Sequence, residues 1–118
     1  NDNALQIDWQ NLVSSSVPSE QRARFNYIFG NPPFLGHHYQ SSEQKKDMSN
    51  VFADLQGHGV LDYVSCWYSR AANYVLRFST SNDEAPVKCA FVSTNSITQG
   101  EQAGILWEYL FSKFKIKI

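Results

Sequence analysis

The sequence predicts an α/β fold in which helices flank a mostly parallel sheet. Two short runs rich in aromatic or β-branched residues, at 25–29 and 88–93, have the composition of strands. Two segments with apolar residues at helical spacing lie between them, and a third follows the second run. Strands separated by helical segments pair in parallel, because the chain must cross the sheet before the next strand begins.

The first strand is expected to stop at Gly30 and the two prolines that follow, after a polar loop at 14–19. A helix should begin at Ser41 or Ser42, because Ser41 and Gln44 have the spacing of a capping box. Gly57-His58-Gly59 should end this helix. The residues expected on its inner face are Met48, Val51, Phe52 and Leu55.

The second helix is predicted over 61–77, and a polar loop at 79–86 should lead into a buried strand at 88–93. Its inward residues should be Leu61, Val64, Tyr68, Ala71, Ala72 and Val75. Thr98 and Glu101 form another capping-box pattern. The helix that follows should bury Ile105, Leu106, Tyr109, Leu110 and Phe114. The alternation at 115–118 predicts a final strand.

Composition and charge limit the function classes. With 42% hydrophobic residues, 118 residues can bury a core as one domain or part of one. The net charge of −1 argues against a free-standing nucleic-acid binder, which usually has a basic face. No signal peptide or bilayer-length apolar run occurs in the sequence. Cys66 and Cys89 are expected to be buried thiols in a reducing cytoplasm.

Asn31-Pro32-Pro33-Phe34 carries the clearest chemistry. An exocyclic amine on an aromatic ring is a poor nucleophile, and two acceptors aimed at its N–H bonds favour the pyramidal form. The Asn31 side-chain carbonyl and the Pro32 backbone carbonyl can be those acceptors, and Pro32 and Pro33 stiffen the turn. Phe34 could stack on a flipped base. The alternative is a rigid turn with Phe34 in the core.

A family resemblance covers nearly the whole chain. Phe29 to Gly36 resembles motif IV of the class I, S-adenosylmethionine-dependent amino-methyltransferases. Segments 3–9, 61–68 and 90–102, the last containing Ser-Thr-Asn-Ser-Ile-Thr-Gln-Gly-Glu-Gln, resemble the methyltransferase region of type IIG/IIL restriction-modification proteins of the MmeI type. The resemblance implies a partial Rossmann-like methyltransferase domain that methylates the N6 amine of adenine in DNA.

The resemblance also implies residue roles. Asn31 and Pro32 would hold the adenine amine, with Pro33 completing the turn and Phe34 stacking on the base. Asn3 would contact the adenine of the cofactor, and Asn31 would also lie near the cofactor. Asn95 and Ser96, at the second strand end, would help to shape the base or cofactor pocket. Asp62 is expected to be a helix N-terminal carboxylate favoured by the helix dipole, and the alternative is a cofactor-binding role.

The chain departs from the family pattern in one respect. The family's glycine-rich cofactor loop is absent, since the one Gly-x-Gly, Gly57-His58-Gly59, follows no predicted strand. The first residue is not Met, and Ile118 falls within an apolar alternation, so we expect a segment 1–118 from the catalytic-motif portion of a longer protein. We therefore expect this segment alone to bind S-adenosylmethionine weakly or not at all.

Several alternatives stay open at this point. The same turn could serve methylation of an RNA base or a glutamine amide, and a non-catalytic interaction module could keep the fold. His37-His38 could be a surface loop or a DNA contact, and we expect no metal site. We expect Trp9, Trp67 and Trp107 to lie in the core. We expect double-stranded DNA to be bound through other parts of the full-length protein, which would be bacterial and cytoplasmic. An open sheet edge could pair two copies of this segment.

Overall fold

The computed structural model describes residues 2–18, 23–79 and 85–118. Within these ranges the sheet consists of β1 (Tyr27–Gly30) and β2 (Lys88–Phe91), which pair in parallel. Tyr27 is in register with Lys88 and Gly30 with Phe91. The Val92 N–H donates to the Gly30 carbonyl at 3.0 Å, so pairing continues to the residue before Asn31. The predicted α/β class and the parallel pairing are confirmed.

Four α-helices occur among the described residues. They are α1 (Trp9–Ser14), α2 (Ser42–Val51), α3 (Ser65–Phe78) and α4 (Glu101–Phe114), with 3₁₀ turns at His37–Tyr39, His58–Val60 and Asn95–Thr98. The sequence patterns did not predict α1. It spans 6 residues, buries none of them and is capped by the Asp8 side chain, which accepts from the N–H groups of Gln10 and Asn11.

The capping-box predictions for the starts of α2 and α4 had opposite outcomes. At α2 the capping box is confirmed: Ser41 Oγ accepts from the Gln44 N–H at 3.2 Å, and Gln44 Oε1 accepts from the Ser41 N–H at 2.9 Å. At α4 it is wrong, because Gly100 precedes the helix with no side-chain cap. The Thr98 hydroxyl instead donates to the Asn95 carbonyl within the 3₁₀ turn.

Two predicted helices are shorter than expected. The first ends at Val51, so Phe52 and Leu55 lie beyond it, although Phe52 is still buried. The second begins at Ser65 rather than at residue 61. Leu61 is extended, and the N–H groups of Tyr63 and Val64 donate to the Leu35 and Phe34 carbonyls. Those tertiary bonds replace the first turn of the predicted helix.

The hydrophobic core lies among the helices rather than on the sheet. α3 packs against both α2 and α4, and the Phe52 and Tyr109 rings meet edge to face with centroids 5.6 Å apart. The buried cluster is Leu5, Met48, Phe52, Leu61, Tyr63, Val64, Cys66, Ala72, Ile97, Leu106, Tyr109, Leu110 and Phe114. The inward faces predicted for α3 and α4 are thus largely confirmed, with Tyr68, Val75 and Ile105 half-buried.

The prediction of a buried second strand is wrong. Lys88, Cys89 and Ala90 are exposed and Phe91 is half-buried, because no third strand covers the sheet among the described residues. Cys89 is therefore exposed whereas Cys66 is buried, and both are free thiols as expected. The predicted tryptophan burial is partial: Trp67 and Trp107 are half-buried against the core, and Trp9 is half-buried outside the cluster.

The predicted final strand is absent from the described residues 115–118. Lys115 adopts a left-handed conformation (φ 52°, ψ 36°) at the end of α4, which turns the chain out of the helix with no strand to pair with. Of the predicted polar loops, residues 19 and 80–84 lie outside the described ranges. No helix in the described part of the chain is long and apolar enough to cross a membrane.

Candidate active site

The Asn31 turn begins directly after β1, where the paired part of the sheet ends. The Asn31 side chain is exposed and makes no hydrogen bond to any of the residues that the structure describes. Pro32 is buried and Pro33 exposed, so the turn is anchored on one side. The Asn31 amide is therefore free to accept a hydrogen bond from a ligand, as the predicted chemistry requires.

The sequence left two roles open for Phe34, stacking on a base and packing in the core. Its position in the structure combines features of both roles. Its side chain is half-buried and packs against the helical core cluster. Its carbonyl accepts from the Val64 N–H at 3.4 Å, so the backbone is also anchored. One part of the ring contributes to packing, while the exposed part remains available for a ligand.

Leu35 follows in a conformation that is unusual for a side chain of this type, with φ at 23°. Its carbonyl accepts from the Tyr63 N–H at 2.9 Å and from the Gln40 amide at 3.3 Å. Gln40 is buried and also donates to the Leu61 carbonyl at 3.0 Å. Leu35 and Gln40 were not predicted from the sequence, because single residues that hold a backbone carbonyl leave no periodic or motif signal.

The second strand end supplies the other predicted residues. Asn95 is exposed and its amide donates to the Gln99 side chain at 3.4 Å. Ser96 is half-buried, and its hydroxyl lies 2.5 Å from that of Thr94. Because β1 and β2 are parallel neighbours, Asn95 and Ser96 follow the same edge of the sheet as Asn31.

Asp62 joins the loops of this edge. Its carboxylate accepts from the Ser96 hydroxyl and, at 2.9 Å, from the Gln102 side-chain amide. Its backbone N–H donates to Gln102 Oε1, also at 2.9 Å. The structure therefore brings Asp62 and Ser96 together. Gln102 was not predicted as a site residue, and the only signal for it was its place in the family-like string that ends there.

Asn3 is held by the protein itself. Its amide donates to Asp47 Oδ2 at 2.9 Å, and its side-chain oxygen accepts from the Leu5 N–H. Asp47 also accepts from Gln6 at 3.0 Å and from the Tyr63 hydroxyl at 2.7 Å. Burial alone would raise the pKa of Asp47, but these donors outweigh it and leave the pKa below its ordinary value. The same burial and the Asp47 contact raise the pKa of Tyr63.

An open groove of about 520 Å³ connects the amino-terminal segment to the Asn31 turn. Its walls are mainly apolar, and they are formed by Ala4, Ile7, Trp9, Leu12, Phe25, Tyr27, Ile28, Phe29, Gly30, Asn31, Pro32, Pro33, Trp67 and Phe91. Asn3 directly precedes Ala4, which lines the groove, whereas neither Asp62 nor Phe34 lines it. The groove is large enough for part of a nucleoside-sized ligand.

The two adjacent histidines lie in the 3₁₀ turn at His37–Tyr39. Their rings are tilted by 42° to each other with centroids 3.8 Å apart, and His38 is exposed. Within the described ranges, no group of three or more histidine, cysteine or acidic side chains could hold a metal ion. The structure places His37 and His38 at the surface, in the 3₁₀ turn that follows the Asn31 turn.

Comparison with known proteins identifies the family. A family model described as the DNA-methyltransferase domain of MmeI matches residues 1–118. The chain belongs to this MmeI-type family. DNA methyltransferase A of Bacillus subtilis is a relative, 43% identical over 116 residues that cover 98% of this chain. A solved structure of the type IIL restriction-modification enzyme MmeI in complex with DNA is similar over 95% of the chain, with 44% identity and a TM-score of 0.75.

These matches confirm the MmeI-type resemblance and the fold predicted from the sequence. The chain spans 12% of the length of the Bacillus subtilis relative and 13% of the solved MmeI chain. The MmeI-type region described here is thus short compared with either protein. The Asn31 turn, the Asn95 loop and their shared sheet edge lie within the matched region.

Proposed function

We propose that this chain forms the amine-positioning part of an enzyme that transfers a methyl group from S-adenosylmethionine to the N6 amine of adenine in DNA, in a bacterial restriction-modification system. The observation that carries the proposal is the Asn31 side chain, which is exposed and without a hydrogen bond to the described residues at the end of a parallel strand. Family membership supports the transferase chemistry.

The residues of the turn act on the target amine. The Asn31 side-chain carbonyl and the Pro32 backbone carbonyl accept hydrogen bonds from the two N–H groups of the target amine. These bonds free the nitrogen lone pair for attack. The proton leaves after the new C–N bond forms, so no strong general base is required. The exposed part of Phe34 stacks on the base, while its buried part fixes the ring against the core.

S-adenosylmethionine supplies the electrophilic methyl group when it is bound. The fit to this chain is partial. The groove beside Asn31 offers apolar walls, including Trp9 and Trp67, to an adenine ring, and Asn3 lies next to it in sequence. Neither of the two strands in the described residues is followed by a glycine-rich turn, so we propose that the rest of the protein binds the methionine portion. Asn95 and Ser96 shape the base side of the pocket.

DNA is the proposed substrate because the MmeI structure was solved in complex with DNA and the Bacillus subtilis relative is a DNA methyltransferase. The net charge of −1 means that this segment contributes little to holding phosphates. The contacts that hold the DNA phosphates therefore lie in other parts of the protein. We place this protein in the bacterial cytoplasm. Adenine rather than cytosine is favoured by the asparagine at the first position of the turn.

The test incubates the full-length protein and S-adenosylmethionine with a labelled methyl group, and it offers DNA, RNA or protein as the substrate in separate reactions. Asn31→Ala should reduce label transfer by at least about 100-fold, because an acceptor to the reacting amine is lost. Asn50→Ala, an exposed asparagine on α2, is the matched control and should retain activity. Nucleoside analysis of the product should find N6-methyladenine. Full activity in Asn31→Ala, or label only in RNA or in protein glutamine, would refute the proposal.

A further inference from the structure

Asp62 is a buried carboxylate that contacts both loops of the candidate site. Its exposed fraction is 7%, and its carboxylate accepts from Ser96, in the loop after β2, and from Gln102, in the first turn of α4. Gln102 returns a bond by accepting the Asp62 backbone N–H. The two residues are therefore paired at two points, with both atoms of the Gln102 amide used.

The other side of Asp62 faces the loop after β1. A β-carbon at Gly36 would lie 3.5 Å from Asp62 Oδ1, which is ordinary contact distance. The next residue, Tyr63, donates its N–H to the Leu35 carbonyl at 2.9 Å. The Asp62-Tyr63 dipeptide thus spans the gap between the Asn31 turn and the Asn95 loop.

The nature of these contacts argues for a role beyond packing. No cation contacts Asp62 among the described residues; its partners there are a hydroxyl and an amide. Burying a charged group without a cation is unfavourable compared with an apolar side chain of similar size. A carboxylate, however, can accept from two donors at one oxygen and fix their separation.

We propose that Asp62 and Gln102 are positioning residues that set the spacing between the Asn31–Phe34 turn and the Asn95–Ser96 loop for methyl transfer. The proposal rests on the proposed function and deepens it. Asp62 acts through Ser96, Gln102 and the adjoining Leu35 contact. The competing role for Asp62 is a direct contact with the methyl donor, which is one of the two roles that the sequence left open.

The test is a swap of the paired groups in the full-length protein. Gln102→Glu places two carboxylates against each other and should lower kcat by about tenfold or more. Asp62→Asn retains one acceptor oxygen and should lower kcat by only about two- to fivefold. The double variant Asp62→Asn with Gln102→Glu restores one donor and one acceptor, so its kcat should return to within about threefold of the Asp62→Asn value.

Three further measurements separate this role from the others. The KM for S-adenosylmethionine should stay within about twofold in every variant, because the pair holds loops rather than the donor. The fluorescence of 2-aminopurine at the target base should fall in Gln102→Glu and recover in the double variant, because the base is less well held when flipped. The kcat losses should not follow the melting temperatures across the variants, and Glu108→Gln, which removes an exposed carboxylate on α4, is the control for both measurements.

Each contrary result has a distinct meaning. No rescue in the double variant refutes the pairing, and a raised KM for S-adenosylmethionine with unchanged kcat refutes positioning in favour of donor contact. A kcat loss that follows melting temperature across all variants refutes it in favour of a purely structural role. Failure of the proposed function is seen separately, as full activity in Asn31→Ala.

Discussion

Asn3 donates a hydrogen bond to the buried carboxylate of Asp47 across 44 positions of sequence, at 2.9 Å. The contact ties the segment that borders the groove to α2. Gln6 and Tyr63 donate to the same carboxylate, so three separate parts of the chain meet at one charged group.

Asp47→Ala should lower the free energy of unfolding by about 2–4 kcal/mol, because it leaves buried donors without an acceptor. Urea denaturation followed by circular dichroism measures this. Asp47→Asn, which keeps one acceptor oxygen, should cost less. An unchanged urea midpoint in Asp47→Ala would show that the three donors find other partners.

The Asp47 contribution should also depend on pH. Its pKa is lower in the folded chain than its ordinary value, because the donors outweigh burial. Stability from this group is therefore fully present above its ordinary pKa of about 3.9 and is lost as pH falls through the lower folded value. The difference in unfolding free energy between wild type and Asp47→Asn should shrink below about pH 4. A difference that grows on acidification would contradict the sign.

Gln40→Leu should destabilise the fold by about 1–3 kcal/mol and also reduce methylation by the full-length protein. The substitution removes the donor that reaches the Leu35 and Leu61 carbonyls and leaves buried acceptors unpaired. Chemical denaturation and initial rates of label transfer are the measurements. Gln44→Leu, in the exposed capping box, is the control and should affect stability but not the activity of the folded protein.

Phe34→Leu and Phe34→Ala should separate packing from stacking. Leucine keeps much of the apolar contact with the core, so its unfolding free energy should fall by less than about 1.5 kcal/mol, whereas alanine should cost about 2–4 kcal/mol. Both lose the aromatic face, so kcat/KM should fall about tenfold or more in each. Wild-type kcat/KM in Phe34→Leu would rule out base stacking.

The isolated 118-residue segment should bind S-adenosylmethionine weakly or not at all and should show no methylation. Isothermal titration and label transfer measure these two properties, and detectable methylation would overturn the expectation.

At high concentration two copies could pair through the β1 edge, where Phe29 is 82% exposed. Phe29→Lys should then abolish the dimer in sedimentation experiments, whereas Phe111→Lys on α4 should not.

The parts that followed from sequence are those with local or repeated signals. The capping box at Ser41 and the inward faces of α3 and α4 rest on fixed spacings, and the parallel pairing follows from the crossover. The start of α3 and the loop contacts of Asp62 could not be predicted, since hydrogen bonds between distant segments decide them. The strand at 115–118 was predicted from alternation alone, with no partner strand to support it.

The parallel pairing has a consequence for the order of folding. Tyr27 pairs with Lys88, which is 88 − 27 = 61 positions away, whereas each helix needs only contacts within a few residues. We expect the helices to form and associate first and the strand pairing to close last, since distant closure costs more chain entropy. The Asn31 turn would then take shape only in the completed fold, so under the proposed function a newly made or partly unfolded chain would lack the amine-positioning site.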